Sequence, residues 1–224
     1  MTEPDQDELK RRVARAALDH VTEDINPESV VGVGTGSTVN FFIDMLVEIK
    51  DSFKATISSS IASTSRLKDH GITVLETHKV CSADVYVDGA DEVDGSRALI
   101  KGGGGALTQE KIVTSMSKHF VCIVDESKLV DRLGAFPLPI EVIPSARTVV
   151  KQFARSIGGD PHVRTGLTEN GNIIVDVGGL TIDDPGCLEQ TINNLPGVVT
   201  VGLFVAHRPD LVLIAKRDGS VASL

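Results

Sequence analysis

Cysteine is scarce and unpatterned. Cys81, Cys122 and Cys187 are odd in number and show no Cys-x-x-Cys spacing, which argues against a disulfide framework or a zinc knuckle. Cys122 lies in the apolar run FVCIV and reads as a buried, reduced thiol. The six histidines are scattered without a His-x-x-x-His pair, so no transition-metal site is expected. No apolar run approaches the ~18 residues of a spanning helix, and the acidic N-terminus lacks the features of a signal peptide. Positive charge is also short. Lys and Arg number 22 against 31 Asp and Glu, a net charge of −9. The chain as a whole therefore does not attract nucleic acid or an anionic membrane. Repeats and low-complexity segments are missing. These absences leave the expectation of a soluble, cytoplasmic protein whose ligand is a small molecule. If that ligand is an anion, a local pocket must hold it, because the overall field will not.

What is present is an ordinary globular composition, 41% apolar and 24% charged over 224 residues, enough for a substantial core. Leu9, Val13, Ala16, Ala17 and Val21 fall at helical spacing and predict an amphipathic helix over 5–21. Strands are expected at 29–33, 55–60, 72–76, 84–87 and 119–125, separated by helices. That alternation predicts a largely parallel, Rossmann-like sheet covered on both faces. Beyond the prolines at 137, 139 and 144 the rhythm changes. Strand, helix, two strands about the Asn170–Gly171 turn, helix and strand follow, the ferredoxin-like order. The chain is thus read as α/β: a larger domain, 1–133 and 207–224, with a smaller α+β domain, 134–206, inserted in it. LVLIA (211–215) is expected to return to the first sheet.

Ligands of open parallel sheets bind outside the carboxyl ends of the strands. Polar clusters follow apolar runs at 34–38, 58–64, 88–92, 101–105 and 125–128, and all five are expected on that edge. GVGTGST (32–38) resembles a dinucleotide fingerprint but has Ser37 in place of the third glycine. It offers either amides and hydroxyls to a phosphate, or a tight turn with Ser37 or Thr38 as helix cap. SSSIAST (58–64) leaves the same two readings open, with Ser63 as the ordinary cap. Asp88, Asp91 and Glu92 follow the run ADVYV. A solvated turn, a Mg²⁺ site and proton transfer all remain open for them. KGGGGALTQEK (101–111) is the most specific stretch. Four successive glycines are costly to order, and close backbone approach to a ligand is the usual reason. Lys101 brings a cation to the same place. Glu110 falls in the first turn of the next helix, either as a favourable charge at its positive end or as a base. Lys128 reads as a surface lysine or a further substrate contact.

Taken together and in order, GVGTGST, DVYVDGADEVD, KGGGGALTQEKIV, FPLPIEVIP and PGVVTVGLF resemble the A-type ribose-5-phosphate isomerases over essentially the whole chain. The resemblance implies an isomerase that interconverts D-ribose 5-phosphate and D-ribulose 5-phosphate in the non-oxidative pentose phosphate pathway. It implies no metal or organic cofactor, and a homodimer or homotetramer. It also implies that Glu110 transfers the proton and that Asp88, Asp91 and Lys101 are catalytic. Thr35, Gly36, Ser37, Thr38, Asp88, Gly89, Ala90, Asp91, Lys101, Gly102, Gly103, Gly104 and Lys128 would line the substrate site. Ser58 to Ser60 and Lys10 would help with phosphate. The competing classes are a sugar-phosphate sensor, which has no need of Glu110, an NAD-dependent oxidoreductase, disfavoured by Ser37, and a Mg²⁺ phosphatase.

Overall fold

The computed structural model describes residues 5–224. In chain order the elements are α1 (Gln6–Asp24), β1 (Val30–Val33), α2 (Ser37–Leu46), β2 (Ala55–Ser58), α3 (Ile61–Asp69), β3 (Ala83–Asp88), β4 (Glu92–Val93) and β5 (Leu99–Ile100). They continue with α4 (Leu107–Ser115), β6 (Ser117–Asp125), β7 (Leu138–Val142), α5 (Arg147–Ser156), β8 (Asp160–Val163) and β9 (Ile173–Gly178). The last are α6 (Pro185–Asn193), β10 (Val198–Val201), β11 (Leu203–Phe204), β12 (Leu211–Ala215) and β13 (Val221–Ser223). Contacts divide the chain into two compact units. One gathers the residues up to Gly89 with Gln109–Lys128 and Pro209–Leu224; the other gathers Ala90–Thr108 with Leu129–Arg208.

The first unit is built on a six-stranded sheet in the order β13-β12-β6-β3-β1-β2. All neighbours pair in parallel except the edge hairpin of β12 and β13. Strand alternation sorts its residues onto two faces. Val31, Val33, Val85, Val87, Val121 and Ile123 join Val13, Ala17 and Leu18 of α1 and Phe42, Ile43 and Leu46 of α2 in one core. Helix α1 is opened by Asp5, whose carboxylate accepts the Glu8 N–H at 2.8 Å. Tyr86 and Asp88 occupy the opposite face of β3, and Val113 of α4 reaches that face beside Gly32. The chain returns to this sheet through β12, as LVLIA predicts. The segment 72–76 is not a strand. It makes one bridge, Val74 to Thr56, before a 3₁₀ turn takes the chain away.

The second unit holds the inserted α+β fold. β7, α5, β8, β9, α6 and β10 run in sequence, and the antiparallel sheet order is β10-β7-β9-β8, the ferredoxin-like topology. Leu138, Ile140 and Val142 of β7, Val150 and Ala154 of α5, Val175 and Val177 of β9 and Ile192 of α6 form its core. A separate three-stranded antiparallel sheet, β11-β5-β4, belongs to the same unit. This corrects one expectation. The clusters at 34–38, 58–64, 88–92 and 125–128 do follow strands of the parallel sheet, but 101–105 follows β5 of the small antiparallel one. Among the described residues no helix is long and apolar enough to cross a membrane.

Candidate active site

β1 and β3 are neighbours, with Gly32 opposite Tyr86. Side chains two apart share a face, so Tyr86 and Asp88 both project over β1, where Gly32 and then Gly34 have none to oppose them. A Cβ at position 32 would touch the Tyr86 ring and Val113 at 3.0 Å, and one at position 34 would lie 1.9 Å from Asp88 Oδ1. The two glycines are therefore notches for an aromatic ring and a carboxylate. That accounts for the Gly-x-Gly spacing without a dinucleotide. Asp88 is fully buried. Its Oδ1 accepts the N–H of Gly89 at 2.8 Å and of Thr35 at 3.1 Å, and its Oδ2 accepts the Tyr86 hydroxyl. Three donors thus fix the carboxylate in place.

Glu110 lies in the first turn of α4, only 3% exposed. The Thr114 hydroxyl donates to its carbonyl at 2.8 Å. Its charge is felt by Tyr86. Burial first, then the negative charges of Asp88 and Glu110, hold the phenol well above its ordinary value. The structure thus gathers Thr35, Tyr86, Asp88 and Glu110 in the first unit.

The loop after β1 keeps its hydroxyls out of helix capping. Gly36, with φ of +114°, is the N-cap of α2 and caps with no side chain, so neither Ser37 nor Thr38 has that role. Gly36 and Ser37 are exposed, Thr35 and Thr38 half-buried. In the serine run Ser60, not Ser63, caps α3, accepting the Ser63 N–H at 3.1 Å. Its hydroxyl also reaches Thr35 Oγ1 at 3.0 Å, and the Ser63 hydroxyl donates to the Gly34 carbonyl at 2.6 Å. The serines therefore brace the loop that carries Thr35. Lys128 is half-buried in the 3₁₀ turn after β6. Lys10 pairs with Asp7 on α1 at 3.6 Å.

In the second unit the acidic run separates into three roles. Asp91 Oδ2 accepts the Gly103 N–H at 2.8 Å. Glu92, 3% exposed, accepts the N–H groups of Gly134 and Phe136. Asp94 organises the β4–β5 turn, accepting from the Ser96 and Ala98 N–H groups. The solvated-loop reading therefore fails for Glu92, an anchor for a segment 42 residues away. Lys101 is 2% exposed, its N–H bound to the Gly202 carbonyl at 2.8 Å and its ammonium 5.6 Å from the Phe204 ring centre. Gly102 and Gly105 take φ of +105° and +83°, which side-chain-bearing residues avoid. Gly103 is required for another reason, since a Cβ there would lie 2.6 Å from Asp91 Oδ1.

Four residues outside the sequence-derived site set brace the segments around its members, each within its own unit. Arg164 donates to the carbonyls of Gly102 at 2.9 Å and Gly103 at 3.1 Å while gripping both oxygens of Asp176. Glu141, fully buried, accepts from Thr168, Asn170 and Asn172 of the β8–β9 turn and from Thr108 at the start of α4. Tyr86 is the third of the four and Thr108 the fourth. Only Tyr86 left a local signal, as the chain's one tyrosine two residues before Asp88. The partners of Arg164 and Glu141 lie too far along the chain for spacing to reveal them.

Comparison with known proteins follows the same residues. The family model of ribose 5-phosphate isomerase A (phosphoriboisomerase A) matches residues 55–219. The chain is 54% identical to the ribose-5-phosphate isomerase A of Bordetella petrii over 215 residues, 96% of each protein. The crystal structure of ribose 5-phosphate isomerase A from Neisseria gonorrhoeae superposes with a TM-score of 0.94 at 44% identity, covering 100% of this chain and 98% of that one. A D-ribose-5-phosphate isomerase in complex with phospho-erythronic acid gives 0.91 at 36%, covering 100% and 99%.

Proposed function

The chain belongs to the ribose 5-phosphate isomerase A family, and from that premise we propose how its residues interconvert D-ribose 5-phosphate and D-ribulose 5-phosphate. Asp88 opens the furanose, taking the proton of the C1 hydroxyl as the C1–O4 bond breaks and giving it to O4. Glu110 then removes the C2 proton of the open aldehyde and returns it to C1 through a cis-enediolate. The hydroxyl proton passes from O2 to O1 by way of Asp91. Lys101 and amides of the glycine run stabilise the enediolate oxygens. Within that run the Gly103 and Gly105 N–H groups are bonded to Asp91 and to the Gly102 carbonyl. One well-placed donor of this kind is worth about 3 to 4 kcal/mol.

The observation that carries this reading is the pair of buried acids, Asp88 and Glu110, flanking one phenol. Carboxylates are rarely buried without a structural or chemical reason. The phosphate falls to Thr35–Thr38 and Ser58–Ser60, with Lys128, Gly89 and Ala90 as further substrate contacts. Phospho-erythronic acid, found in complex with a structural relative, has a carboxylate whose two oxygens resemble those of an enediolate, and it is expected to compete with substrate here. The reading extends to a cytoplasmic homodimer or homotetramer. Incubating the protein with ribose 5-phosphate in EDTA and assaying ketose tests it: turnover in chelator is expected, and loss of turnover restored by Mg²⁺ contradicts it.

A further inference from the structure

Tyr86 is the single tyrosine of the chain and is fully buried. Its ring packs on Phe120 with centres 5.2 Å apart and lies over the notch at Gly32. A purely apolar ring would fill this place, as Phe120 does beside it, yet the position carries a hydroxyl. That hydroxyl donates to Asp88 Oδ2. Ser59, also fully buried, neighbours the phenol, and among the described residues its hydroxyl makes no hydrogen bond. Burial and two neighbouring negative charges keep the phenol protonated, so it acts on Asp88 as a donor only. The order Ser59, Tyr86, Asp88 runs from the end of β2 across the sheet to the end of β3.

We propose that Tyr86 is a positioning residue for ring opening: its hydroxyl sets the rotation of the Asp88 carboxylate and carries part of its charge while Asp88 moves a proton between O1 and O4. This rests on the role given to Asp88 above. It makes the phenol specific to one half of the reaction. Ribulose 5-phosphate, with its 5-hydroxyl esterified, has no furanose to open, so exchange of its C1 proton with solvent needs Glu110 and not Asp88.

The two steps can be read separately. Net conversion of ribose 5-phosphate needs both, whereas loss of the C1 proton of ribulose 5-phosphate in D₂O, followed by NMR, needs only the enediolate. Tyr86→Phe removes one oxygen atom. Net conversion is expected to fall roughly 10- to 100-fold, in kcat more than KM, because a displaced catalytic group costs about that much. Exchange is expected to stay within about threefold on the same principle, since Glu110 is left in place. An equal loss in both assays, or no loss in either, overturns the proposal. Asp88→Asn in the same pair of assays separates the two layers. If it shows no split, the role of Asp88 fails and the proposal with it. If it splits and Tyr86→Phe does not, only the proposal fails. Should Tyr86→Phe not fold, the lone tyrosine allows replacement throughout the chain by 3-fluorotyrosine, a stronger acid of the same shape. Altered conversion with unaltered exchange then supports the proposal, and unaltered conversion overturns it.

Discussion

Gly34 of β1 stands so close to Asp88 of β3 that a methyl group on residue 34 would sit 1.9 Å from Asp88 Oδ1 and 2.0 Å from its Cγ. The carboxylate occupies the volume that a side chain on the neighbouring strand would fill. Its position is therefore encoded by an absence on β1 as much as by the donors around it.

Gly34→Ala must push that carboxylate aside. The expected result is a loss of kcat of about 10²-fold, since a displacement near 1 Å suffices for this, with a smaller change in KM. Steady-state kinetics on ribose 5-phosphate checks it. Activity within about threefold of the parent, far below that cost, would show that Asp88 has room to move.

Glu141 satisfies four side-chain donors with two oxygens in a fully buried place. Glu141→Gln turns one of those oxygens into an NH₂ facing a donor. An unsatisfied buried polar group costs about 1 to 3 kcal/mol, and urea denaturation is expected to show a loss of that size. An unchanged midpoint contradicts the assignment.

Arg164 ties the glycine run to Asp176 through a planar fork. Lysine keeps the charge but cannot reproduce the paired geometry. Arg164→Lys is expected to lower kcat roughly tenfold, about the cost of loosening one set of oriented donors, and to lower the melting temperature as well. A melting temperature and a kcat both unchanged would leave the loop without need of its clamp.

Tyr86 also gives a pH signature. Its folded value is raised well above the ordinary phenol value, so above pH ~10 the unfolded chain loses a proton that the native protein keeps. The native state then binds more protons, and stability falls as pH rises past that point. The contribution is whole below pH ~10 and is lost progressively above it. Melting temperatures of parent and Tyr86→Phe between neutral and strongly alkaline pH should diverge, the variant falling less steeply. Parallel curves would contradict the burial argument.

Much of the architecture was legible because its signals are local. Alternating strands, the Asn170–Gly171 turn and the prolines at the entry to the inserted fold all act within a few residues, and the ferredoxin-like order follows from them. The segment 72–76 reads as a strand for the same reason, having strand-like residues but only one pairing partner, Thr56. Ser60 and Ser63 both suit a cap by spacing, and only the chain direction at Ser60 decides between them. Asp91, Glu92 and Asp94 look alike in the sequence. Their roles diverge because Glu92 answers to Gly134 and Phe136 while Asp94 answers to its own turn. The run 101–105 reads as part of the parallel edge because nothing nearby reveals that Ile100 pairs with Leu203, over a hundred residues on.

The central claim is that the carboxylate of Glu110 carries the proton between C2 and C1. Glu110→Gln preserves size and removes the base, so kcat should fall by about 10² to 10⁴, exchange of the ribulose 5-phosphate C1 proton should cease with it, and melting temperature and phospho-erythronic acid binding should hold. A Glu110→Gln variant that turns over and exchanges at near the parent rate would contradict the account outright.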